Sequence, residues 1–232
     1  MLYGERAELY DRIYDFKDYR AEAEKVRGFL REAGVADGSR VLETACGTGN
    51  FLVHLRDWYD VSGSDLSDEM LAIARTKLGE MPLSRADFRD FAVDEPFDAV
   101  LLLFSSIGYA VTLEELRSTV RSMRRAVRPG GVAIVQPWIF PENALTGEPY
   151  LQTYEDDDLK LCRANITRHE DNVTILDFHW LVVRRDVGVE HFTEQHRLRL
   201  HSLEEMTAAF TDAGFEVSFD DEGRGTIIGR RG

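Results

Sequence analysis

The first 136 residues alternate between short apolar segments and segments in which apolar residues recur at helical spacing. Four segments have the pattern of strands, namely 39–43, 60–64, 97–104 and 131–136, and all but 60–64 have the character of buried strands. A helical pattern follows each of the first three. Strands that are joined through helices run parallel within one sheet. The order therefore predicts an α/β fold, a Rossmann-like doubly wound sheet with helices on both faces.

The pattern changes after residue 136. A loop that contains prolines and an acidic run comes first. Three strand-like segments follow at 159–168, 173–185 and 190–200, with no helical pattern between them. Successive strands without intervening helices pair antiparallel. We therefore expect a small antiparallel β insertion at this point of the chain.

The last 32 residues return to the first pattern. The segment Ser202-Leu-Glu-Glu205 is a capping box, which predicts the start of a helix. Two strand-like segments then close the chain. The expected sheet is mostly parallel, with about seven strands, and the insertion lies between its fifth strand and the last helix. In this division, residues 1–136 and 201–232 form the main domain and residues 137–200 the inserted subdomain.

Charge and cysteine content exclude several classes of protein. The chain has 28 Lys and Arg against 42 Asp and Glu, a formal net charge of −14. Nucleic acid and anionic lipid are also negatively charged, so neither is an expected partner. We expect no membrane span, no signal peptide and a cytoplasmic location. Cys46 and Cys162 cannot form a disulfide framework, and no spacing typical of metal ligands indicates a metal.

The first strand ends in a glycine-rich turn. Gly47 and Gly49 permit a tight turn and the close approach of a ligand. Glu43 precedes them, and Asp65 follows the second strand 22 residues later, near the offset of about 20 for a carboxylate that binds a ribose. Leu52 stands where the dinucleotide fingerprint has its third glycine. This departure disfavours an NAD-dependent oxidoreductase.

These segments resemble, in order, the motifs of class I S-adenosylmethionine-dependent methyltransferases. The pattern Glu43-x-Ala45-x-Gly47-x-Gly49 is similar to motif I, with Ala45 in place of its first glycine. The resemblance implies methyltransferase activity, with S-adenosylmethionine as the cofactor. The other similar segments are 63–67 (second motif), 86–88 (adenine-binding segment), 97–104 (fourth motif) and 128–131 (the turn before strand five).

The resemblance also implies which residues bind the cofactor. Asp65 would accept hydrogen bonds from the ribose, and Asp87 from the adenine amine. Phe88 and Met70 would contact the adenine, and Glu43 would favour the cationic end of the cofactor. The complete implied set is Glu43, Ala45, Gly47, Gly49, Asp65, Leu66, Met70, Asp87, Phe88, Phe104, Tyr10 and Tyr19.

The flanking segments resemble the N,N-dimethyltransferases that act on dTDP-3-amino-3,6-dideoxyhexoses. That likeness implies a dTDP-amino sugar as acceptor, a homodimer, and a role for the insertion in substrate binding and dimerisation. Gln136 departs from it, because those enzymes usually have Glu before Pro-Trp, and the acidic run 155–158 also differs. The similar segments are 3–11, 17–19, 104–109, 136–142, 194–197 and 223–225.

Methyl transfer to an amine requires an unprotonated nitrogen in line with the methyl group. An alkyl amine is mostly protonated at pH 7, since the reference pKa of lysine is about 10.4. A nearby group or a water path must therefore take that proton. The candidates are Tyr109, Tyr3 and His196.

Three further residues are candidates for binding the acceptor. Arg224 lies between two glycines and has the planar fork that pairs with a diphosphate. Trp138 and Phe140 offer aromatic surfaces for a base. Two alternatives remain open: an N- or O-methyltransferase of another small metabolite such as an amino acid, and a non-catalytic nucleotide-binding module.

Overall fold

Two sheets account for the strands of the computed structural model, which describes residues 6–232. The first sheet has seven strands in the order β10-β11-β5-β4-β1-β2-β3, and only β11 runs opposite to the others. The second has four antiparallel strands in the order β6-β7-β8-β9. The strands are β1 (Arg40–Thr44), β2 (Asp60–Asp65), β3 (Leu83–Arg85), β4 (Phe97–Leu102), β5 (Val127–Val135), β6 (Pro149–Glu155), β7 (Leu159–Glu170), β8 (Val173–Arg184), β9 (Gly188–Arg199), β10 (Phe215–Asp220) and β11 (Thr226–Arg231).

Helices pack on both faces of the first sheet, which confirms the predicted fold class. Alternate residues of its central strands enter two separate cores, as the two-residue period of a strand requires. Val41 and Leu101 face one core, and Leu42 and Val100 face the other. The helices are α1 (Glu8–Ile13), α2 (Tyr19–Glu32), α3 (Leu52–Leu55), α4 (Asp68–Leu78), α5 (Leu113–Ala126) and α6 (Leu203–Asp212).

Helix starts are fixed by capping side chains that the sequence identifies. The Thr112 hydroxyl accepts from the backbone N–H of Glu115, whose carboxylate accepts in return from the backbone N–H of Thr112. Ser202 and Glu205 form the same capping box at α6. Each box satisfies backbone donors that a helix start leaves without partners.

The inner face of the second sheet forms a third core with α1. Leu9 and Ile13 of α1 pack against Trp180, Phe178 and other apolar side chains of β7, β8 and β9. These apolar contacts attach α1 to the inserted sheet. The helix therefore lies between the two sheets.

Several element boundaries differ from the sequence predictions. Residues 149–155 form a strand, whereas the proline pattern predicted a loop. Pro149 is tolerated because it is the first residue of an edge strand. The strand predicted over 97–104 ends at Leu102, since Phe104 and Ser105 have φ values of +50° and +68° and leave the sheet. The helix predicted from Asn50 has a single turn, and α1 and β3 were not predicted.

No helix within residues 6–232 has the length and apolar character to cross a membrane. In the same part of the chain, no group of three or more His, Cys, Asp or Glu side chains has the arrangement of a metal site.

His201, which follows β9, links the second sheet to the loop before α5. Its Nε2 donates to the Ala110 carbonyl at 2.8 Å, and the residue is 3% exposed. Burial lowers the pKa of His201 to about 4. The folded protein therefore holds this imidazole in its neutral form at neutral pH.

We predict a loss of stability in acid that depends on His201. The folded-state pKa lies below the ordinary value of 6.5, so the unfolded chain takes up the proton first as the pH falls. Well above pH 6.5 His201 is neutral in both states and does not affect the pH dependence. The free energy of unfolding should then fall by about 2–3 kcal/mol between pH 6.5 and pH 4. Urea titrations at three pH values measure it. In His201→Gln the free energy of unfolding should not show this fall with pH, whereas in His54→Gln it should.

Candidate active site

A cavity of about 1120 Å³ lies at the carboxyl ends of β1, β2, β4 and β5. The inner face of the second sheet and the segment after α1 enclose its other sides. Parallel sheets bind ligands at this edge, where the loops that follow the strands converge. The predicted site residues that line the cavity are Tyr10, Tyr19, Glu43, Ala45, Gly47, Asp65, Leu66, Met70, Asp87, Phe88, Phe104, Tyr109, Trp138, His196 and Arg224.

The Asp65 carboxylate joins the ends of β1 and β2. Its Oδ2 accepts from the Gly47 backbone N–H at 2.8 Å, and its Oδ1 accepts from the Ser67 N–H at 2.9 Å. Burial raises the pKa of Asp65, and these backbone hydrogen bonds oppose that shift. The carboxylate is thereby held at the cavity wall with lone pairs left for a ligand.

The glycine-rich turn combines two different requirements. Gly47 has φ +55°, and a Cβ added there would meet no atom within 4 Å, so this side of the turn is open. Gly49 does not line the cavity. A Cβ at Gly49 would come within 2.7 Å of Leu78 Cδ1, so its absence permits packing against α4. Ala45 adopts φ +52°, a conformation that glycine reaches more easily.

Glu43 is a buried carboxylate, 3% exposed, at the end of β1. Burial and the charge of Asp65 raise its pKa well above the ordinary value. Its Oε2 has no hydrogen-bond partner among the residues described. A cation bound in the cavity would compensate this carboxylate. Together with the open turn at Gly47, this orphaned oxygen fits a cofactor with a cationic amino-acid tail.

Asp87 is part of an ion pair rather than a solvated loop acid. Arg89 Nη2 lies 2.7 Å from its Oδ2, and Arg89 Nη1 lies 3.1 Å from Glu115 Oε1. The hydrogen bonds from Arg89 lower the pKa of Asp87. Phe88 and Met70 line the cavity nearby, and Met70 is also a core residue, 1% exposed.

A polar network attaches α1 to the glycine-rich turn. Asp11 Oδ1 accepts from Thr48 Oγ1 at 2.6 Å and from Asn50 Nδ2 at 3.0 Å. Asp11 Oδ2 lies 2.6 Å from Lys77 Nζ, which also donates to Asn50 Oδ1. This network holds α1 beside the part of the cavity that contains Glu43, Asp65 and the glycine-rich turn, which we call the cofactor half. No local sequence pattern indicates this network, because Asp11 lies 37 or more residues from each of its partners.

The remaining part of the cavity, which we call the acceptor half, is formed by the second sheet and by the loops after β4 and β5. Tyr109 Oη lies 2.8 Å from His196 Nδ1. The Arg224 guanidinium lies over the Trp138 ring, 4.8 Å from its centroid, and its Nη1 is 3.5 Å from Ser105 Oγ. Tyr109, His196, Trp138 and Arg224 are thus brought to one cavity from four separate parts of the chain.

Phe140, like Gly49, is not part of this cavity wall. Phe140 is 7% exposed and packs edge-on against Phe219, with the ring centroids 5.7 Å apart. It therefore supports the turn that carries Arg224 instead of facing the cavity. Tyr3 lies outside the described residues.

Sequence reasoning missed several polar residues that line the cavity. Arg163 is 4% exposed, donates from Nη1 to Tyr14 Oη at 3.0 Å and lies 4.5 Å from the Phe178 ring centroid. Asn165, 8% exposed, lies two residues further along β7. Arg163 Nε and Asn165 Oδ1 have no partner within the described chain. Polar residues at inward positions of an amphipathic strand were the available signal.

Carboxylates at the ends of two neighbouring strands, with a glycine-rich turn between them, define a class I S-adenosylmethionine-dependent methyltransferase. A methyltransferase-domain family model matches residues 41–131. The dTDP-3-amino-3,4,6-trideoxy-alpha-D-glucopyranose N,N-dimethyltransferase of Streptomyces venezuelae is 36% identical over 231 residues, 97% of this chain and 97% of that protein. The chain belongs to the family of dTDP-aminosugar N,N-dimethyltransferases.

Two solved structures share the fold over nearly the whole chain. DesVI from Streptomyces venezuelae is 35% identical, with a TM-score of 0.92 over 98% of this chain and 99% of that one. CalS10, an amino pentose methyltransferase from Micromonospora echinaspora solved with S-adenosylmethionine bound, is 31% identical, with a TM-score of 0.86 over 100% of this chain and 99% of that one. The protein is an enzyme with S-adenosylmethionine as its methyl donor, as the motifs predicted.

We predict that Asp65→Ala weakens cofactor binding about 10- to 100-fold, because the ribose hydroxyls lose a charged acceptor. Calorimetric titration with S-adenosylhomocysteine measures the affinity. Asp68→Ala is the control, since this acid pairs with Arg85 at the surface and does not line the cavity. Equal affinities of the Asp65→Ala protein and the wild type would contradict the ribose role.

Proposed function

We propose that the protein methylates the amine of a dTDP-linked amino sugar twice, giving an N,N-dimethylamino product. The full-length relative at 36% identity is named for this reaction on one such sugar, and the bound homologue CalS10 is named for an amino pentose. The amino sugar itself is left open, since these relatives act on different ones. Gln136 and the acidic run 155–158 also distinguish this chain.

The charges of the acceptor half carry the proposal. Arg163 and Arg224 both line the cavity, and neither forms an ion pair with a carboxylate in the part of the chain that the structure describes. Lys17 lies at the same cavity, with its ammonium 4.7 Å from the Phe104 ring centroid and 3.7 Å from the Glu22 carboxylate. Burial lowers the pKa of Lys17. Two guanidinium groups without a carboxylate partner in the described chain, in a protein with net charge −14, favour an anionic acceptor.

A diphosphate is the anion that suits Arg224 best. The guanidinium is braced on Trp138 and carried by a turn in which Gly223 and Gly225 have φ values of +68° and +85°. A planar guanidinium can hold two phosphate oxygens at once. The ring of Trp138 offers a face for a base or sugar.

The mechanism divides the work between the two halves of the cavity. Bound S-adenosylmethionine supplies an electrophilic methyl group. Glu43 and Asp65 would hold its amino-acid and ribose portions, while Arg224 would hold the diphosphate of the acceptor. The enclosing aromatic residues Tyr14 and Phe104, with ring centroids 5.3 Å apart, would exclude water from the point of transfer. Most of the rate would then come from alignment of the amine with the methyl group.

Tyr109 and His196 are the proposed groups for the amine proton. The hydrogen bond between them supports this assignment, because a tyrosine that donates to an imidazole presents its oxygen lone pairs as acceptors. Tyr109 is half-buried and lines the cavity. A neutral amine could donate its N–H to that oxygen.

We predict that Arg224→Ala raises the KM for the nucleotide sugar roughly 10- to 150-fold, the equivalent of about 1.5–3 kcal/mol for a charged hydrogen bond. Steady-state kinetics with dTDP-3-amino-3,4,6-trideoxyglucose, followed by mass spectrometry of both methylation steps, test it. Arg224→Lys should recover part of the loss, because a lysine acts as a point charge. The affinity for S-adenosylhomocysteine should stay unchanged.

Arg121→Ala is the matched control, since Arg121 lies on the outside of α5 and pairs with Glu114. Absence of turnover in the wild type would contradict the nucleotide-sugar acceptor. It would leave the two alternatives, a methyltransferase for a metabolite without a diphosphate and a non-catalytic module. Turnover with an unchanged KM in Arg224→Ala would remove only this residue from the proposal.

We also propose that the enzyme is a cytoplasmic homodimer that pairs through the outer face of the second sheet. Apolar side chains are exposed across that face: Leu151 by 64%, Ile166 by 55%, Leu181 by 43% and Val189 by 69%. The strand registers bring them onto the same side of neighbouring strands. Several exposed apolar side chains on one sheet face are typical of an interface. The inserted subdomain, residues 137–200, would thus serve both the acceptor and the dimer.

We predict that Leu181→Asp converts the dimer to a monomer, because the charge would be buried without a partner at the centre of the interface. Sedimentation equilibrium should give twice the 26.5 kDa chain mass for the wild type and the single mass for the variant. Val187→Asp, on the exposed turn between β8 and β9, is the control. A monomeric wild type would contradict the proposal.

A further inference from the structure

We infer that Glu194 is a positioning residue that makes the Tyr109–His196 pair a proton acceptor for the substrate amine. The inference rests on the proposed function, in which an amine is methylated at this cavity. The similarity of the segment 194–197 to the amino-sugar N,N-dimethyltransferases does not assign a function to Glu194.

Glu194 stands behind His196 as seen from the cavity. Its carboxylate Oε1 lies 3.2 Å from His196 Nε2 and accepts from Trp180 Nε1 at 3.0 Å. On the other side of the ring, His196 Nδ1 lies 2.8 Å from Tyr109 Oη. The contacts form a continuous chain from the cavity wall at Tyr109 to a carboxylate inside the second sheet.

Strand periodicity accounts for this arrangement. Glu194 and His196 are two residues apart on β9, so both side chains project from the same face. That face is the inner one, where the Phe178 ring lies 5.1 Å from the His196 ring. A buried carboxylate on an apolar sheet face is costly unless it is hydrogen-bonded. The side chain of Glu194 is 1% exposed, accepts a hydrogen bond from Trp180 and lies at ion-pair distance from His196 Nε2, a contact that lacks hydrogen-bond geometry.

The charge of the carboxylate, 3.2 Å from His196 Nε2, favours the proton on that nitrogen. An ionised carboxylate can only accept, so a neutral ring turned toward Glu194 has its proton on Nε2. Nδ1 then has a lone pair, and Tyr109 must be the donor in the 2.8 Å contact. The Tyr109 oxygen consequently faces the cavity as an acceptor. The opposite tautomer would turn Tyr109 into a donor toward the cavity, which cannot take a proton from an amine.

The proton balance of each methylation is then complete. As the amine lone pair forms the new N–C bond, the C–S bond breaks and its electron pair remains on sulfur. The methylated nitrogen is left positively charged with a surplus proton. That proton passes to the Tyr109 oxygen while the Tyr109 hydroxyl proton passes to His196 Nδ1. His196 becomes an imidazolium beside the Glu194 carboxylate and later releases its proton to water.

Dimethylation makes this transfer necessary twice. The monomethyl product of the first round is the nucleophile of the second, so it must lose its surplus proton first. Because Glu194 stabilises the imidazolium, it favours that loss within the closed cavity. Removal of Glu194 should therefore slow the second round at least as much as the first.

Glu194→Gln tests the inference, because the amide keeps the shape of the side chain and an acceptor for Trp180. Its oxygen, at the position of Oε1, would keep the contacts with Trp180 and His196, but the amide has no charge to stabilise the imidazolium. We expect kcat to fall about 10- to 100-fold, up to the lower end of the usual contribution of acid–base catalysis. The KM for the dTDP-amino sugar and the affinity for S-adenosylhomocysteine should change by less than about twofold. Glu194→Asp should recover part of kcat, since it restores the charge.

A readout that does not depend on turnover is the tautomer itself. ¹⁵N chemical shifts of labelled histidines should show His196 protonated on Nε2 in the wild type and should show no such preference in Glu194→Leu, in which no acceptor faces that nitrogen, with His196→Gln used to assign the signal. Glu190→Gln is the control for both measurements. Glu190 lies on the same face of β9, pairs with Arg184 and does not line the cavity, so its loss should leave kcat and the His196 signal unchanged.

The outcomes separate this inference from the proposed function. A wild-type enzyme with no activity on dTDP-amino sugars overturns the acceptor assignment, and the ¹⁵N spectra still decide the tautomer. An active wild type with an unchanged kcat in Glu194→Gln overturns the role of Glu194 alone. An Nδ1-protonated His196 in the wild type also overturns it. If Glu194→Gln does not fold, Glu194→Asp and the wild-type spectrum carry the test.

Discussion

Parallel pairing of β1 with both β2 and β4 is the constraint on which the rest of the molecule depends. These strands are covered on both faces, so their central side chains are apolar or small, and helices must pack on either side. Polar groups are then displaced to the strand ends. Glu43 and Asp65 sit at that boundary, where each strand leaves the core. The cofactor half of the site follows directly from this arrangement.

The second sheet contributes buried polar side chains to the other part of the cavity. Its inner face is largely apolar and packs against α1, yet it carries Arg163, Asn165, Glu194 and His196 among the apolar residues. Burying such groups costs free energy unless they bind partners or a ligand. Arg163 Nε and Asn165 Oδ1 have no hydrogen-bond partner in the described chain, and Glu194 lies at ion-pair distance from His196. The proposed function gives Arg163, Glu194 and His196 a role in binding and deprotonating the acceptor.

Much of the fold was predictable because its signals are local. The capping boxes at Thr112 and Ser202 need only four consecutive residues. The buried strands are continuous apolar runs, and the glycine-rich turn lies within one strand–turn–helix unit. Edge strand β6 was missed because its exposure alternates only weakly and Pro149 is typical of loops. The four-residue α3 and the short α1 were also beyond a rule based on period, since neither spans two full turns.

By itself, the sequence determined the layered α/β architecture, the cofactor and the order of the motifs that would bind it, because each is encoded by residues close together in the chain. Only the tertiary structure decided which distant side chains meet. It brought Arg224 onto Trp138, Arg163 onto Tyr14 and Glu194 behind His196, and it moved Phe140 into the core. Such pairs depend on strand register and on how the inserted sheet packs against α1. No local sequence pattern predicts these contacts, because each depends on how elements far apart in the chain pack together.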